Sequence, residues 1–261
     1  MSEPPLVQEI RQGAMWIRLN RPEAMNSLTP QLLAGLSAAL DEAQARDEVK
    51  AIVLTGEGRA FCAGADLKFV RADATGPEAA AAFLQRVLAT MNRIAAFPKP
   101  VIAALNGLAL AGGLELVLCC DLVIAARSAS FLQAFSKIGL VPDTGGTWFL
   151  PQRVGMARAI GLAMLADKLP AEKAAEWGLI WQVVDDADLA ATVDKLAAQL
   201  ATMPTKALVR TRQAMHAAPT HTLEQQLSME GGFMRELGWS PDYAEGVSAF
   251  MEKRAPKFTG Q

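Results

Sequence analysis

The sequence has 261 residues, enough for one large domain with a sizeable core. Hydrophobic residues make up 51% of the chain, a share typical of globular rather than disordered proteins. With 25 Lys and Arg against 27 Asp and Glu, the net charge of −2 excludes a strong electrostatic field that would attract nucleic acid or an anionic membrane.

The first half of the chain alternates between strand and helix patterns. In chain order, these patterns predict strands over 6–13 and 14–20, a helix over 29–49, a strand over 50–56, a helix over 76–97, a strand over 99–107, a helix over 114–120 and a strand over 121–127. Thr29 and Pro30 are the residue types expected at the N-cap and first turn of a helix. The alternation predicts an α/β fold with buried strands.

The C-terminal part differs, because nearly every segment from about residue 186 to residue 257 has helical periodicity. Three prolines separate these segments: Pro204, Pro219 and Pro241. Amphipathic helices of this kind cannot bury their apolar faces alone, so we expect them to pack on the core or on another subunit. We therefore divide the chain into an α/β core over 1–195 and a C-terminal helical segment over 196–261.

Missing motifs disfavour several classes of protein and site. The first ten residues, "MSEPPLVQEI", lack the charged-then-apolar pattern of a signal peptide, and no apolar run suits a membrane span. Three cysteines without CxxC spacing predict buried, reduced thiols and hence a cytoplasmic protein: Cys62, Cys119 and Cys120. His216 and His221 lie in no zinc motif, and neither a GxSxG elbow nor a nucleotide-binding glycine motif is present. We expect no metal and no cofactor, which leaves carboxylates and backbone amides for chemistry.

The stretch "GRAFCAGADLK" (58–68) has the composition of a turn that presents a backbone donor to a ligand. Gly64 lets the chain bend tightly, and in this interpretation the N–H of Ala65 points outward. The alternative is an ordinary tight turn in which Asp66 acts as a local cap.

The stretch "NGLALAGGLELVLCC" (106–120) places Gly112 and Gly113 before a helix that reads as buried. The N-terminus of a helix has unpaired N–H groups and a partial positive charge, and small residues there allow an oxygen anion to approach. The alternative is a helix packed tightly against a neighbouring strand.

Two acidic residues lie among apolar ones. Glu115 falls in the first turn of that helix, where it either makes a favourable contact with the helix dipole or is retained for chemistry. Asp143 lies in "SKIGLVPDTGGTWFLP" (136–151), with apolar residues on both sides. It either caps the helix that follows or transfers protons, and an apolar setting would raise its pKa toward neutral pH.

Four motifs in this order and spacing resemble the crotonase (enoyl-CoA hydratase/isomerase) superfamily: "FCAGADLK", "NGLALAGGLEL", "DLVIAARSASFLQAFSKIGLVPDTGGTWFLP" and "AAEWGLI". The resemblance runs from residue 17 to residue 258, nearly the whole chain. It implies a ClpP-like spiral of ββα units, with C-terminal helices that form trimers or hexamers built as dimers of trimers. It also implies an acyl-CoA thioester as substrate, so that coenzyme A belongs to the substrate and is no separate cofactor.

The resemblance assigns roles to residues of the two glycine-containing stretches. The backbone N–H groups of Ala65 and Gly112 match an oxyanion hole that holds the thioester oxygen as it becomes an enolate. Such preorganised donors are worth about 2.7–4 kcal/mol each in the transition state. The segment that lines the CoA moiety is matched by four residues: Ala63, Asp66, Leu67 and Lys68. The candidates for contacting the CoA phosphates are basic: Lys68, Lys253, Arg254 and Lys257.

The acidic residues bear on the reaction type. Hydratases of the superfamily use two glutamates; one matches Glu115, but Phe135 occupies the second position, eight residues before Asp143. An acid at the position of Asp143 resembles isomerase branches, in which one carboxylate moves a proton between two carbons. The segments around Asp143 and "AAEWGLIWQVVDD" most resemble the branch that isomerises ring-1,2-epoxyphenylacetyl-CoA to an oxepin-CoA in phenylacetate degradation. That branch does not generally have an acid at the position of Glu115. Members similar to dienoyl-CoA isomerases, in contrast, have acids at the positions of both Glu115 and Asp143.

The leading hypothesis is therefore an acyl-CoA isomerase in which Asp143 shuttles the proton and Glu115 assists or orients. The alternatives are an enoyl-CoA hydratase that uses Glu115 as its main acid and base, and a non-catalytic acyl-CoA-binding trimer. Trp148 and Phe135 either line an apolar acyl pocket or belong to the core. We expect no partner beyond the thioester and further copies of the chain.

Overall fold

The computed structural model describes residues 4–71 and 76–261, and the strands in these residues form two sheets. The strands are β1 (Leu6–Arg11), β2 (Ala14–Leu19), β3 (Ala51–Gly56), β4 (Ala60–Cys62), β5 (Val101–Leu105), β6 (Leu108–Leu110), β7 (Leu122–Ala126), β8 (Ser130–Leu132), β9 (Leu169–Pro170) and β10 (Gln182–Val184). The first sheet has the order β1-β2-β3-β5-β7-β10, and the second has the order β4-β6-β8-β9.

Successive strand pairs are shared between the two sheets. β3, β5 and β7 lie in the first sheet, and β4, β6 and β8, which follow them in the chain, lie in the second. Neighbours within each of these sets are parallel, while β1 and β9 are antiparallel to the strands they pair with. Because helices follow the first two pairs, the chain winds as a spiral of ββα units. The fold expected from the sequence is confirmed.

Helices surround the sheets and form the C-terminal part. They are α1 (Pro30–Ala45), α2 (Leu67–Val70), α3 (Pro77–Ala95), α4 (Gly112–Leu118), α5 (Gly146–Val154), α6 (Met156–Leu165), α7 (Ala171–Glu176), α8 (Leu189–Ala201), α9 (Thr205–Ala217), α10 (Leu223–Leu237) and α11 (Pro241–Glu252). The predicted cap is present, since Thr29 Oγ1 accepts a hydrogen bond from the Leu32 N–H. α1 ends at Ala45, earlier than predicted, because Arg46 has an extended backbone.

The core lies around the parallel strands. Every residue of β3 and of β5 is buried, which explains why their sequences read as continuous apolar runs. α8 packs across β3, β5 and β7. Residue 195, the boundary expected between core and C-terminal segment, lies within α8, and the next helix begins at Thr205. An ion pair of 3.0 Å between Arg212 of α9 and Asp121 connects the C-terminal helices to the core.

The three cysteines are free and buried, as predicted. Burial raises the pKa of the Cys62 and Cys119 thiols to about 12, so neither is an activated nucleophile at neutral pH. None of the helices in the described part of the chain has the length and apolar character that a membrane-spanning helix needs.

Candidate active site

Two asparagines hold the chain at the start of β4. Asn26 is fully buried, and its Nδ2 donates to the carbonyl oxygens of Glu57 (2.9 Å) and Ala60 (2.8 Å). Asn106 donates from its Nδ2 to the carbonyl oxygens of Gly58 (2.8 Å) and, again, Ala60 (3.2 Å). Because Ala60 is the first residue of β4, these bonds fix the strand that leads to the first candidate donor.

The N–H of Ala65 is free to bind a ligand. Its neighbours pair with Leu28: the Gly64 carbonyl accepts from the Leu28 N–H (2.8 Å), and the Asp66 N–H donates to the Leu28 carbonyl (2.9 Å). Backbone groups of successive extended residues alternate in direction, so the Ala65 N–H faces away from Leu28. It has no acceptor among residues 4–71 and 76–261. Gly64 has φ +78, and a Cβ there would lie 2.9 Å from the Gly112 nitrogen, so both conformation and space require glycine.

The second donor follows a strained residue. Ala111 has φ 46 and ψ −121, a region that alanine rarely adopts and that costs about 1–3 kcal/mol. The Ala111 N–H donates to the Leu132 carbonyl, and the Ala111 carbonyl accepts from the Leu114 N–H. These two hydrogen bonds hold the strained conformation, which turns the chain from β6 into α4. The Gly112 N–H has no acceptor in the part of the chain that the structure describes. A Cβ built on Gly112 would lie 3.6 Å from the Ala65 nitrogen, so the two donors are adjacent.

Glu115 is fully buried one turn into α4. Its Oε1 accepts a hydrogen bond of 2.7 Å from Gln133 Nε2. Burial raises the pKa of Glu115 to about 8; the bond from Gln133 opposes this, and the nearby charge of Asp143 adds to it. At neutral pH the carboxyl group is therefore mostly protonated.

Gln133 is the site residue that sequence analysis missed. It follows β8 directly and is 1% exposed. The available signal was an amide side chain within the apolar run "SASFLQAF", since a buried amide requires partners. Only the fold shows that its partner is an acid on α4.

Asp143 lies in the irregular loop between a 3-10 turn at Phe135–Ile138 and α5. Its Oδ1 accepts from the Thr144 hydroxyl at 3.1 Å. The alternative interpretation, in which Asp143 caps α5, is wrong, because Gly145 occupies the N-cap position and no side chain of the described residues caps this helix.

The prediction that apolar residues enclose Asp143 is also wrong. Asp143 is exposed in the single chain, and so are Ile138, Leu140 and Val141, the last 75% exposed. An irregular surface loop places sequence neighbours beside the carboxylate without enclosing it. The protein atoms on its inner side still desolvate it, and this raises its pKa, the direction expected from the sequence.

Gly146 lies between the backbone of the Asp143 loop and the side chain of Glu115. Its N–H donates to the Asp143 carbonyl at 2.8 Å, and a Cβ built on it would overlap Glu115 Oε1. Glycine therefore lets the carboxyl group of Glu115 lie against the first turn of α5.

We expect Gly146→Ala to lower the free energy of unfolding by about 1–3 kcal/mol, the usual cost of overpacking a buried site. Gly161→Ala, inside α6, is the matched control and should be neutral or stabilising, because no described atom beyond its own helix backbone and its two chain neighbours lies within 4 Å of the added methyl group. Urea unfolding of both variants measures the difference. Equal stability would contradict the close approach of Gly146 to Glu115.

The segment matched to CoA binding surrounds the short helix α2. Asp66 caps this helix by accepting from the Lys68 N–H (3.2 Å), and it also accepts from Ser27 Oγ (3.3 Å) and pairs with Arg21 (3.5 Å). Asp66 is thus the local cap that the alternative interpretation described, and the Ala65 N–H is nevertheless free. The remaining residues of the segment are half-buried or exposed: Ala63, Leu67 and Lys68.

The basic residues of the C-terminal tail differ in availability. Arg254 binds both carboxylate oxygens of Glu245, at 2.6 and 2.9 Å, and Lys257 donates its backbone N–H to the same carboxylate. Arg254 is therefore engaged within the chain. The side chains of Lys68 and Lys253 make no ion pair among the described residues, so they are better placed to meet a phosphate.

The two aromatic residues considered for an acyl pocket lie in different environments. Phe135 is buried in the 3-10 turn. Trp148 is 43% exposed, packs edge-on against Phe149 at 4.8 Å, and lines a cavity of about 420 Å³ between α5 and α9. His216 also lines this cavity, and Phe135 does not.

The geometry determines what chemistry is available. Two adjacent backbone donors can stabilise a developing oxyanion, and two acids in different environments can take up and release protons. Within the described ranges, no three His, Cys, Asp or Glu side chains are grouped as a metal site would require.

Comparisons with known proteins cover nearly the whole chain. Residues 9–261 match the family model described as enoyl-CoA hydratase/isomerase. The chain is 48% identical to a 1,2-epoxyphenylacetyl-CoA isomerase from Escherichia coli over 98% of both chains, and 46% identical to a probable enoyl-CoA hydratase from Rhodobacter capsulatus over the full length of both. The crystal structure of an enoyl-CoA hydratase from Bacillus anthracis has a TM-score of 0.93 and 33% identity, covering 98% of this chain and 100% of the other.

Proposed function

The chain belongs to the enoyl-CoA hydratase/isomerase family, and from this premise we propose that it is an acyl-CoA isomerase working through a thioester enolate. The thioester oxygen accepts hydrogen bonds from the Ala65 and Gly112 N–H groups. As a proton leaves the carbon next to the carbonyl, negative charge moves onto this oxygen, where the two fixed donors stabilise it. The observation that carries this proposal is the adjacency of two backbone donors that have no acceptor among the described residues.

Asp143 is the proposed proton shuttle. Its pKa is raised by desolvation, which strengthens it as a base, while its exposure keeps the carboxylate accessible. It removes a proton from the carbon beside the thioester and returns a proton further along the acyl chain. The buried Phe135, at the position where hydratases of the family carry a second glutamate, argues for isomerisation over water addition.

The substrate proposed first is 2-(1,2-epoxy-1,2-dihydrophenyl)acetyl-CoA, in phenylacetate catabolism. The support is the 48% identity with the isomerase from Escherichia coli. A positional isomerisation of enoyl-CoA double bonds in fatty-acid catabolism uses the same enolate. The second candidate function is enoyl-CoA hydratase, which the buried acid Glu115 and the similarity to the Rhodobacter capsulatus protein favour.

Ultraviolet absorbance of the conjugated enoyl thioester separates these functions. The proposal predicts that a 3-enoyl-CoA gains the conjugated band, that the ring epoxide is consumed, and that crotonyl-CoA keeps its band. Bleaching of crotonyl-CoA as the main activity would instead establish the hydratase. Tight binding of all three thioesters without turnover would identify a non-catalytic acyl-CoA-binding protein.

We further propose that the chain acts in the cytoplasm as a homotrimer or a dimer of trimers. The support is a set of large apolar side chains exposed on or beside α10 and α11: Met234, Trp239, Phe250 and Met251. Trp239, for example, is 92% exposed, and such residues are usually covered by another subunit. Sedimentation equilibrium of the purified chain should give three or six times its monomer mass.

A further inference from the structure

One neighbouring side chain holds the Asp143 carboxylate. Asp143 is exposed on an irregular loop, and the Thr144 hydroxyl donates to its Oδ1 at 3.1 Å. Within residues 4–71 and 76–261, this is the only hydrogen bond from another side chain to the carboxylate. An exposed carboxylate without such a contact rotates freely about its side-chain bonds, so Thr144 limits the directions in which the acid can point.

Thr144 keeps this position at a conformational cost. The Gly146 N–H donates to the Asp143 carbonyl at 2.8 Å, which closes a four-residue turn. The two central residues, Thr144 (φ 45) and Gly145 (φ 98, ψ −2), both have positive φ, the pattern of a type I′ turn. Asparagine and glycine suit the first central position, whereas a positive φ is an outlier for a β-branched residue such as threonine.

This cost points to a role for the Thr144 hydroxyl. Glycine at position 144 would form the same turn without strain, and strained residues that persist beside a reacting group are often part of a mechanism. Threonine differs from glycine in having the O–H that contacts Asp143. Because its β-carbon is branched, the side chain also has few rotamers, so the position of the donor is narrowly defined.

We propose that Thr144 is the positioning residue of the Asp143 base: its hydroxyl holds Oδ1 and thereby directs Oδ2 toward the carbon beside the thioester. This inference rests on the isomerase function proposed above, in which Asp143 shuttles the proton. Thr144 acts through Asp143. In the step that it supports, the proton moves from that carbon to Oδ2, and the electron pair of the broken C–H bond moves onto the thioester oxygen.

The same hydrogen bond affects the protonation of Asp143. Desolvation raises the pKa of Asp143, and the hydrogen bonds from the Thr144 hydroxyl and from its own backbone oppose this rise. Glu115 is the titratable group whose pKa responds to Asp143, and it is mostly protonated at pH 7. Loss of the hydroxyl should therefore raise the pKa of Asp143 further. Because the base must be deprotonated to accept a proton, the acid limb of the kcat profile should then move to higher pH.

Three variants of Thr144 separate the hydroxyl from the strained turn. Thr144→Val keeps the branched shape and removes the O–H, whereas Thr144→Ser keeps the O–H. Thr144→Gly relieves the turn and removes the O–H. The matched control is Thr202→Val, because Thr202 is also exposed and its hydroxyl donates to the Gln199 carbonyl at 2.8 Å, at the end of α8.

The first measurement is the steady-state turnover of a 3-enoyl-CoA as a function of pH. We expect Thr144→Val to lower kcat about tenfold, within the loss of up to about 10²-fold that a small misplacement costs. KM should change much less, and the acid limb should lie at higher pH. Thr144→Ser should recover most of the wild-type kcat, and Thr202→Val should match the wild type. A Thr144→Val enzyme with the kcat and pH profile of the wild type would overturn the proposal, as would an equal loss in Thr144→Ser.

Urea unfolding tests the conformational cost. Thr144→Gly should unfold at a higher urea concentration than the wild type, because the relief of strain exceeds the effect of the extra flexibility that glycine gives the unfolded chain. Its kcat should nevertheless fall as in Thr144→Val. A variant that is more stable and less active is expected where a strained residue serves function. A urea midpoint that does not rise would overturn the inference that threonine is held here against its preferred conformation.

The contact between Thr144 and Asp143 has a readout that does not need turnover. Carbon-13 NMR of labelled aspartate carboxyl groups follows the titration of Asp143, whose signal is assigned by its absence in Asp143→Asn. The pKa of Asp143 should be higher in Thr144→Val than in the wild type, and equal values would overturn the hydroxyl contact. Failure of the proposed function gives a different result, namely a wild type that does not turn over the 3-enoyl-CoA. That outcome would remove the positioning role together with the isomerase, whatever the pKa of Asp143.

Discussion

Asp143→Asn should lower the turnover of a 3-enoyl-CoA by about 10²–10⁴-fold, the range expected when one general acid–base group is lost. Asparagine has nearly the same shape, and it can still accept the bond from the Thr144 hydroxyl, so the loop should keep its conformation. The two backbone donors are untouched, and acyl-CoA binding should therefore stay close to that of the wild type. Steady-state kinetics should show the loss in kcat. Calorimetry should give a dissociation constant for the acyl-CoA close to that of the wild type.

The matched control for this variant is Asp47→Asn. Asp47 is also exposed, but it lies between α1 and β3, at the opposite end of β3 from the loop that carries Ala65. This control should retain wild-type turnover and wild-type binding. An Asp143→Asn enzyme that is equally active would remove Asp143 from the mechanism and leave Glu115 as the proton-transfer group.

The stability of the wild type should fall as the pH rises from about 5 to about 8, and that of Glu115→Gln should fall by much less. In the unfolded chain, Glu115 loses its proton near its ordinary pKa, whereas burial holds the pKa in the folded chain at about 8. Over this window the unfolded state has released a proton that the folded state still binds, so rising pH favours unfolding. The expected loss is on the order of 3–5 kcal/mol, from about 1.4 kcal/mol for each unit of pKa difference.

Urea unfolding at a series of pH values measures this effect. Asp143 contributes with the same sign at lower pH, because its pKa is also raised, and it contributes equally to both proteins. The quantity of interest is therefore the difference between the wild type and Glu115→Gln at each pH. If this difference does not change between pH 5 and pH 8, Glu115 is not buried as a neutral acid.

Much of the fold followed from the sequence, because the central strands have a simple physical signature. β3, β5 and β7 are covered by helices, so they read as short apolar runs between turn residues and were placed to within one or two residues. The end of α1 was predicted too late. Val49 continues the apolar period, but it is buried in the connection to β3 rather than in the helix.

The sequence predicted those parts of the candidate site that are formed by residues adjacent in the chain. The donors at Ala65 and Gly112 belong to short glycine-containing turns, and these can be recognised from a few adjacent residues. Gln133 was missed because its contact with Glu115 joins residues 18 apart, on a strand end and a helix, and this pairing exists only in the folded chain.

The prediction of apolar surroundings for Asp143 was wrong because it relied too much on local sequence. Its sequence neighbours are apolar, but the chain there is a surface loop, and Val141 is turned toward solvent. Adjacency in sequence indicates burial only within regular elements, where periodicity fixes the direction of each side chain. The pKa direction was nevertheless predicted correctly, since partial desolvation by the protein is enough to raise it.

A crystal structure with a bound, slowly reacting acyl-CoA thioester tests the account most directly. We predict that the thioester oxygen lies within hydrogen-bond distance of both the Ala65 and Gly112 nitrogens, with an Asp143 oxygen in reach of the carbon beside the carbonyl. A thioester carbonyl that contacts neither nitrogen, or an Asp143 side chain directed away from the acyl group into bulk water, would contradict the proposed enolate chemistry.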